Sequence, residues 1–325
     1  MTDNLYIPVE DTDGGTQRPY PPNPNPSWNG ENLRFNYNGI PDVKAYIGKD
    51  NPILVRVKNK GDQPMDNVTV QAYVFQSGFG FGYPGYAIHR CDIDQPKQTV
   101  AAHSMATFFM KEPWKPGDTD GAPDKHFCLL ANVYQDQAGG EGKRLLYEDP
   151  NAVLDVDHNQ HHGQCNIVVA PASQAPPGSG GTSSKVPTTT FPPRGGSAEF
   201  SVRAETVTTK PDESQLALLR VRPGVVPGGG ADALGGLSLT TSKGPVPITL
   251  GTGTPAFELR SEVIPGLDTP FRFSEGRREP IPTDIEVRLP EGTPLGSLHV
   301  FDVGLRTERG DLAGSGLRVM ILVTE

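Results

Sequence analysis

The sequence predicts an all-β protein, two antiparallel β-sandwich domains behind an extended N-terminal arm, and three observations lead there. Glycine and proline account for 38 and 33 of the 325 residues, which disfavours long helices and suits short strands joined by turns. Apolar residues recur at every second position in several segments, the signature of strands with one face buried. A Pro, Gly, Ser and Thr stretch at 172–190 has no apolar period and leaves a half on either side of the size of one sandwich, about 100–150 residues.

Residues 1–38 are rich in Pro, Asn, Asp and Gly around RPYPPNPNPSW and read as an extended arm. It is either a disordered tail or, because its Tyr20, Trp28, Leu33, Phe35 and Tyr37 would be wasted in water, an arm docked on the domain behind it or on a neighbouring subunit. The first domain is placed at 39–171. Ile53, Val55 and Val57 alternate with Leu54, Arg56 and Lys58; after the turn NKGDQPMDN, Val68, Val70, Ala72 and Val74 alternate with Thr69, Gln71, Tyr73 and Phe75. These are two antiparallel strands, each with one dry face. Further apolar runs at 101–110, 126–134 and 165–169 bring the strands to at least five. The long polar stretch 135–164 reads as an end loop, where sandwiches usually carry their function.

Residues 172–190 are read as a flexible linker, spanning on the order of 25 Å as a random coil. The second domain, 191–325, holds eight strand candidates at 198–204, 216–221, 237–241, 246–250, 257–264, 285–289, 298–305 and 317–323. In the last, Leu317, Val319, Ile321 and Val323 share one face, and Arg318, Met320 and Leu322 the other. That half-apolar second face calls for cover by another layer or subunit.

ILVRVKNKGDQPMDNVTVQAYVF at 53–75, HFCLLANVY at 126–134 and DVDHNQHHGQCNIVV at 155–169 resemble the CARDB group of bacterial immunoglobulin-like domains, over about residues 39–169. The resemblance implies an immunoglobulin-like sandwich used for adhesion or interaction, and it carries no catalytic residues. Asn59, Gly61 and Asn67 would serve turn geometry, Gly61 being free to take a positive φ. The arm and the FGFGYPGY insertion at 79–86 depart from the group, so partner choice does not transfer. For the second domain the sequence gives a sandwich of general type.

Net charge is −9, without a Lys or Arg run, and a nucleic-acid partner is therefore not expected. The sequence has no apolar run of membrane-spanning length and no signal-peptide pattern; synthesis in the cytosol with incorporation into a particle or appendage is the favoured localisation. There is no G-x-S-x-G, Gly228, Gly229 and Gly230 lack the context of a phosphate loop, and no carboxylate pair stands out. The expectation is a protein without catalytic residues or cofactor.

Cys91, Cys128 and Cys165 each follow a histidine: His89, His126, and the group His158, His161 and His162. H-x-C on a strand puts imidazole and thiol on one face, a pattern that suits zinc. Buried structural cysteines without metal are the preferred reading, with a Cys91–Cys128 disulfide as a further option. The acidic stretches at 11–15, 118–124 and 154–159 lack the full calcium-loop pattern and read as solvated loops. The binding candidates are Phe79, Phe81, Tyr83 and Tyr86, ring-bearing residues spaced by glycines, together with Trp28. The expected function is that of a non-enzymatic structural or interaction subunit of a larger assembly, such as a viral particle or contractile appendage, with protein partners that include a second copy. A surface or secreted adhesin for glycan or host protein is the first alternative, and a metal-binding protein using the His/Cys clusters the second.

Overall fold

The computed structural model describes residues 3–18, 20, 27–117, 127–174, 181–194, 198–211, 215–216, 218–219, 233–274 and 279–325. Along the first half run β1 (Leu5–Tyr6), β2 (Leu33–Tyr37), β3 (Ile40–Asp42), β4 (Ile53–Asn59), β5 (Met65–Gln76), β6 (Gly78–Gly80), β7 (His89–Cys91), β8 (Gln98–Val100), β9 (Ser104–Phe109), β10 (Phe127–Gln135) and β11 (His162–Cys165). Then follow β12 (Ile167–Ser173), β13 (Thr182–Phe191), β14 (Phe200–Val207), β15 (Ala233–Thr241), β16 (Gly244–Leu250), β17 (Ala256–Arg260), β18 (Ile281–Leu289), β19 (Ser297–Thr307) and β20 (Leu312–Thr324). The fold is all-β, as predicted, and built of antiparallel sandwiches. No helix among the described residues is long and apolar enough to cross a membrane.

In the first sandwich, β4 pairs with β9 and with β1 and β2, and β3 extends from β2. The facing sheet runs β11-β10-β5-β7, with β8 also beside β5. Ile53, Val55 and Val57 meet Val68, Val70, Ala72 and Val74 in a core exposed by no more than 1% at any of these residues. The predicted inward sets are correct because period two is a local property of the strand. The arm is not free: β1 and β2 are strands of this sandwich, which places the rings of Phe35 and Trp28 inside. The docking alternative thus holds over the described part of 1–38.

The other face of β5 departs from the predicted polar pattern. Tyr73 and Phe75 are buried with Cys128, Leu130, Leu154 and Val156, and Thr69 and Gln71 are also covered. The stretch 135–164 lies across this face. Gln71 fixes it there: its Nε2 donates to Leu145 O (2.8 Å), and its Oε1 accepts from Leu145 N (2.8 Å) and from Asn132 Nδ2 (2.9 Å). Turn chemistry also differs from expectation. Asn67, not Gly61, has the left-handed backbone, φ 54°. Gly61 is needed instead because a β-carbon would meet the Asn4 side chain at 2.8 Å.

The second sandwich packs two layers. One contains β12, β20, β19 and β14, with β16 and β15 continuing beyond β19; the other is β13-β18-β17. The residues taken for a linker are structural wherever described: β12 pairs in parallel with β20, and Thr182, Ser184, Val186 and Thr188 of β13 point inward opposite β18. Residues 175–180 lie outside the described set. TSSKVPTTT alternates in small β-branched residues, so its period was hidden by a composition typical of linkers. Pro187 sits on the stretch of β13 that β6 does not reach, which spares a ladder hydrogen bond. The 165–169 run is likewise two strands, with Asn166 the point where the chain passes from one sandwich to the other. Of the eight second-half candidates, 216–221 is not a strand where described; Leu216, Leu218 and Leu219 instead pack with Leu298, Val300, Met320 and Leu322. That is the cover the second face of β20 requires. Arg318 is buried there in a bidentate pair with Asp302, 2.9 Å at each contact.

Candidate functional site

The glycine-spaced rings form the seam between the sandwiches. β6 pairs in parallel with β13 through Gly78, Phe79 and Gly80, and antiparallel with β20 through Gly80 and Ser315. A β-carbon on Gly78 or Gly80 would run into the carbonyl oxygens of Thr189 and Phe191, so the glycines are there for the approach of another backbone. Phe79 is fully buried, within the core of the second sandwich. Phe81, half-buried, packs edge-on against Phe200 with centroids 5.9 Å apart, and Tyr83 stacks at 6.1 Å from Phe81. Tyr86 is buried, stacks on Phe191 at 6.0 Å and donates its hydroxyl to Pro192 O at 2.9 Å. The Arg194 guanidinium sits over Tyr83 and Tyr86, 5.3 and 5.1 Å from the ring centres. Trp28 is also buried, its indole against Gly316 of β20. Phe79, Tyr86 and Trp28 therefore join the halves of the molecule rather than present an outer contact surface.

The cysteines do not converge on one centre, and all three are buried and outside any disulfide. Cys91 Sγ lies 3.4 Å from His89 Nε2, and burial pushes its thiol up to about 12. Cys128 accepts from Gln164 Nε2 at 3.2 Å and Cys165 from Arg34 Nη1 at 3.2 Å. Burial raises the Cys128 thiol as well, so Cys91 and Cys128 are held as protonated thiols. His126 and the 118–124 acidic stretch lie outside the described residues. In the first acidic stretch, Asp13 accepts from Val9 N and Gly15 N and pairs with Arg18 at 3.0 Å, which satisfies its carboxylate from within the chain.

What remains is a polar cleft of about 890 Å³ where the 135–164 stretch meets the start of β1. Among its walls are Asp3, Glu141, Arg144, Asp155, His158 and His161. Asp155 binds His158, Oδ1 to Nδ1 at 2.9 Å, and its backbone N–H donates to Nδ1 of His162 at 2.8 Å. His162 is fully enclosed, and desolvation drops its pKa to about 4; His158, held by the Asp155 carboxylate, is raised instead. One ligand-capable atom each from Asp3, Glu141 and His161 lies within 4.8 Å of the others. His161 was singled out from sequence, whereas Asp3 and Glu141 were missed. They stand 138 residues apart, and only the docking of β1 against the loop brings them together.

No family model matches the chain, and no curated protein matches it. Among solved structures, the chain is similar to the CupB6 tip adhesin from Pseudomonas aeruginosa, with 9% identity, 92% of this chain and 97% of that one covered, and a TM-score of 0.25. It is similar also to CfaE, the adhesive subunit of the CFA/I fimbria of enterotoxigenic Escherichia coli, with 9% identity, 99% and 93% coverage, and a TM-score of 0.21. Red sea bream transglutaminase is matched over 90% of this chain and 31% of its own, with 10% identity and a TM-score of 0.20. Likenesses this distant say nothing about function.

Proposed function

We propose that the protein is a non-enzymatic interaction subunit of a larger protein assembly. The supporting observation is the seam: strand pairing through β6 holds two sandwiches in a fixed relation, a geometry suited to a rigid building block. With the aromatic segment engaged inside the molecule, the contact surface moves to the outer face of β9. There Met105 and Phe109 are 43% and 51% exposed, and Met105 lies opposite Lys58 of β4. Apolar rings and thioethers beside a cation suit a protein partner, a second copy included. Light scattering on the intact chain after size exclusion, over a wide concentration range, tests self-association; the expected result is a species larger than a monomer that Phe109→Asp dissociates. A monomer at every concentration removes the self-assembling form of the proposal, and the partner is then sought by imaging the complex in which the native protein resides.

The polar cleft favours a second reading, adhesion through a glycan. Asn, Asp, His and Arg side chains around an open depression can serve sugar hydroxyls. A glycan array probed with the wild-type chain and with Arg144→Ala tests it, and equal, background-level signals from both defeat it.

A further inference from the structure

Glu141 is the latch that ties the N-terminal strand to the loop. Its Oε2 accepts from the backbone N–H groups of Asn4 (2.6 Å) and Leu5 (2.8 Å), and its Oε1 from Asn4 Nδ2 (3.0 Å). Each carboxylate oxygen keeps lone-pair capacity beyond these bonds. Asp3, immediately before, carries an exposed carboxylate. His161 is only 4% exposed. Its Nδ1 and its backbone N–H both contact Asn159 Oδ1, at 3.0 and 2.9 Å. Since an amide oxygen can only accept, Nδ1 carries the proton and Nε2 bears the lone pair. That Nε2 is buried and has no hydrogen-bond partner. Burial lowers the affinity of the ring for a second proton, against the pull of the Asp3 and Glu141 carboxylates. Lys60, the cation whose field reaches the ring, is occupied elsewhere: its Nζ donates to Gly15 O at 2.6 Å and to Gln160 Oε1 at 3.3 Å.

A buried ring nitrogen without a hydrogen-bond partner, in a histidine that has a nitrogen within 4.8 Å of oxygens of Asp3 and Glu141 and whose Nδ1 is held by an amide oxygen, is the arrangement of a metal-ligating histidine with an outer partner that fixes its tautomer. We propose that Asp3, Glu141 and His161 bind a divalent transition-metal ion of the zinc class, with water completing the coordination. One imidazole and two carboxylates favour zinc over the all-oxygen preference of calcium or magnesium. Tetrahedral zinc with bonds of about 2.0–2.1 Å places its ligand atoms roughly 3.4 Å apart. The present spread of up to 4.8 Å closes by movement of Asp3, which is exposed and precedes the first strand. The bound ion then joins β1 to the loop across the mouth of the cleft.

The test is calorimetric titration of zinc into the full chain, stripped of metal and free of any added tag. The expected result is one equivalent bound, with Asp3→Asn and Asn159→Ala each weakening binding about tenfold or more, His161→Gln doing at least as much, and His158→Gln leaving it unchanged. Zinc should also slow amide hydrogen exchange at Leu5 and Tyr6 in the wild type and not in Asp3→Asn. Sub-stoichiometric binding, or wild-type affinity in Asp3→Asn, overturns the proposal. So does a loss in His158→Gln equal to that in Asp3→Asn. The Asp3 carboxylate is solvent-exposed, so this variant decides the matter even where His161→Gln fails to fold.

Discussion

The two sandwiches are closed in different ways. The first faces its own two sheets across a core that runs on without a break into apolar residues of the second half, Leu216, Leu298 and Leu322 among them, and covers the back of one sheet with its own 135–164 stretch. The second is finished by its neighbour: β6, contributed from the first half, pairs with strands of both its layers and places Phe79 in its core. The first half thus lends a strand to the second within the same chain, and the two share a continuous apolar core, although both have the same strand alternation. Independence of a domain depends on who supplies its edge, not on where composition changes along the chain.

The largest expected effect comes from cutting that dependence. A fragment containing residues 181–325 lacks β6 and β12 and is expected to show no cooperative unfolding by calorimetry, whereas the intact chain does. Phe79→Ala comes next: truncating a fully buried ring costs about 3–5 kcal/mol, and the loss should appear as early exchange of amides in β13, β18 and β20 while β4 and β5 stay protected. Acid should reverse the order. The folded protein holds His162 at a pKa of about 4 against 6.5 when unperturbed, so between those values the unfolded chain binds a proton that the folded one refuses. Its contribution is intact above about pH 6.5 and is lost as pH falls toward 4, by about 3 kcal/mol. Denaturant midpoints measured across that range should drop in the wild type and less in His162→Gln, with exchange rising first over 135–164. The smallest effect is expected at Asn166, whose Nδ2 donates to the carbonyls of Gly78 and Gly316. Asn166→Ala removes both bonds, Gly316 O keeping only the longer one from Gln164 Nε2 at 3.4 Å, and should cost about 1–2 kcal/mol, read from the same denaturant midpoints.

Local periodicity made the long strands legible. Ile53 to Val57, Val68 to Val74 and both faces of β20 were readable because each residue's neighbours two positions away share its environment. What escaped was pairing without local pattern. β1 and β6 are two and three residues long, too short for any period, and exist through the partners they meet. β13 was hidden by Thr and Ser, which fill a buried face as well as Val where their hydroxyls are satisfied, as in the 2.9 Å contact of Thr190 with Thr283. The rings at 79–86 were legible as important, yet nothing in the residues alone says whether an aromatic faces water or a second domain. Of the cleft cluster, only His161 had sequence neighbours that marked it.

The parallel pairing of β12 with β20 bears on how the chain matures. β20 is the innermost strand of its layer, between β12 and β19, yet it leaves the ribosome after every strand it supports. During translation the first half can consolidate early, while β12 and β19 wait with unfilled hydrogen-bonding edges for a segment still being made. Premature stops near residue 312 would therefore yield a sticky intermediate rather than a slightly shortened protein, and this nascent stage is where a chaperone has the most to offer.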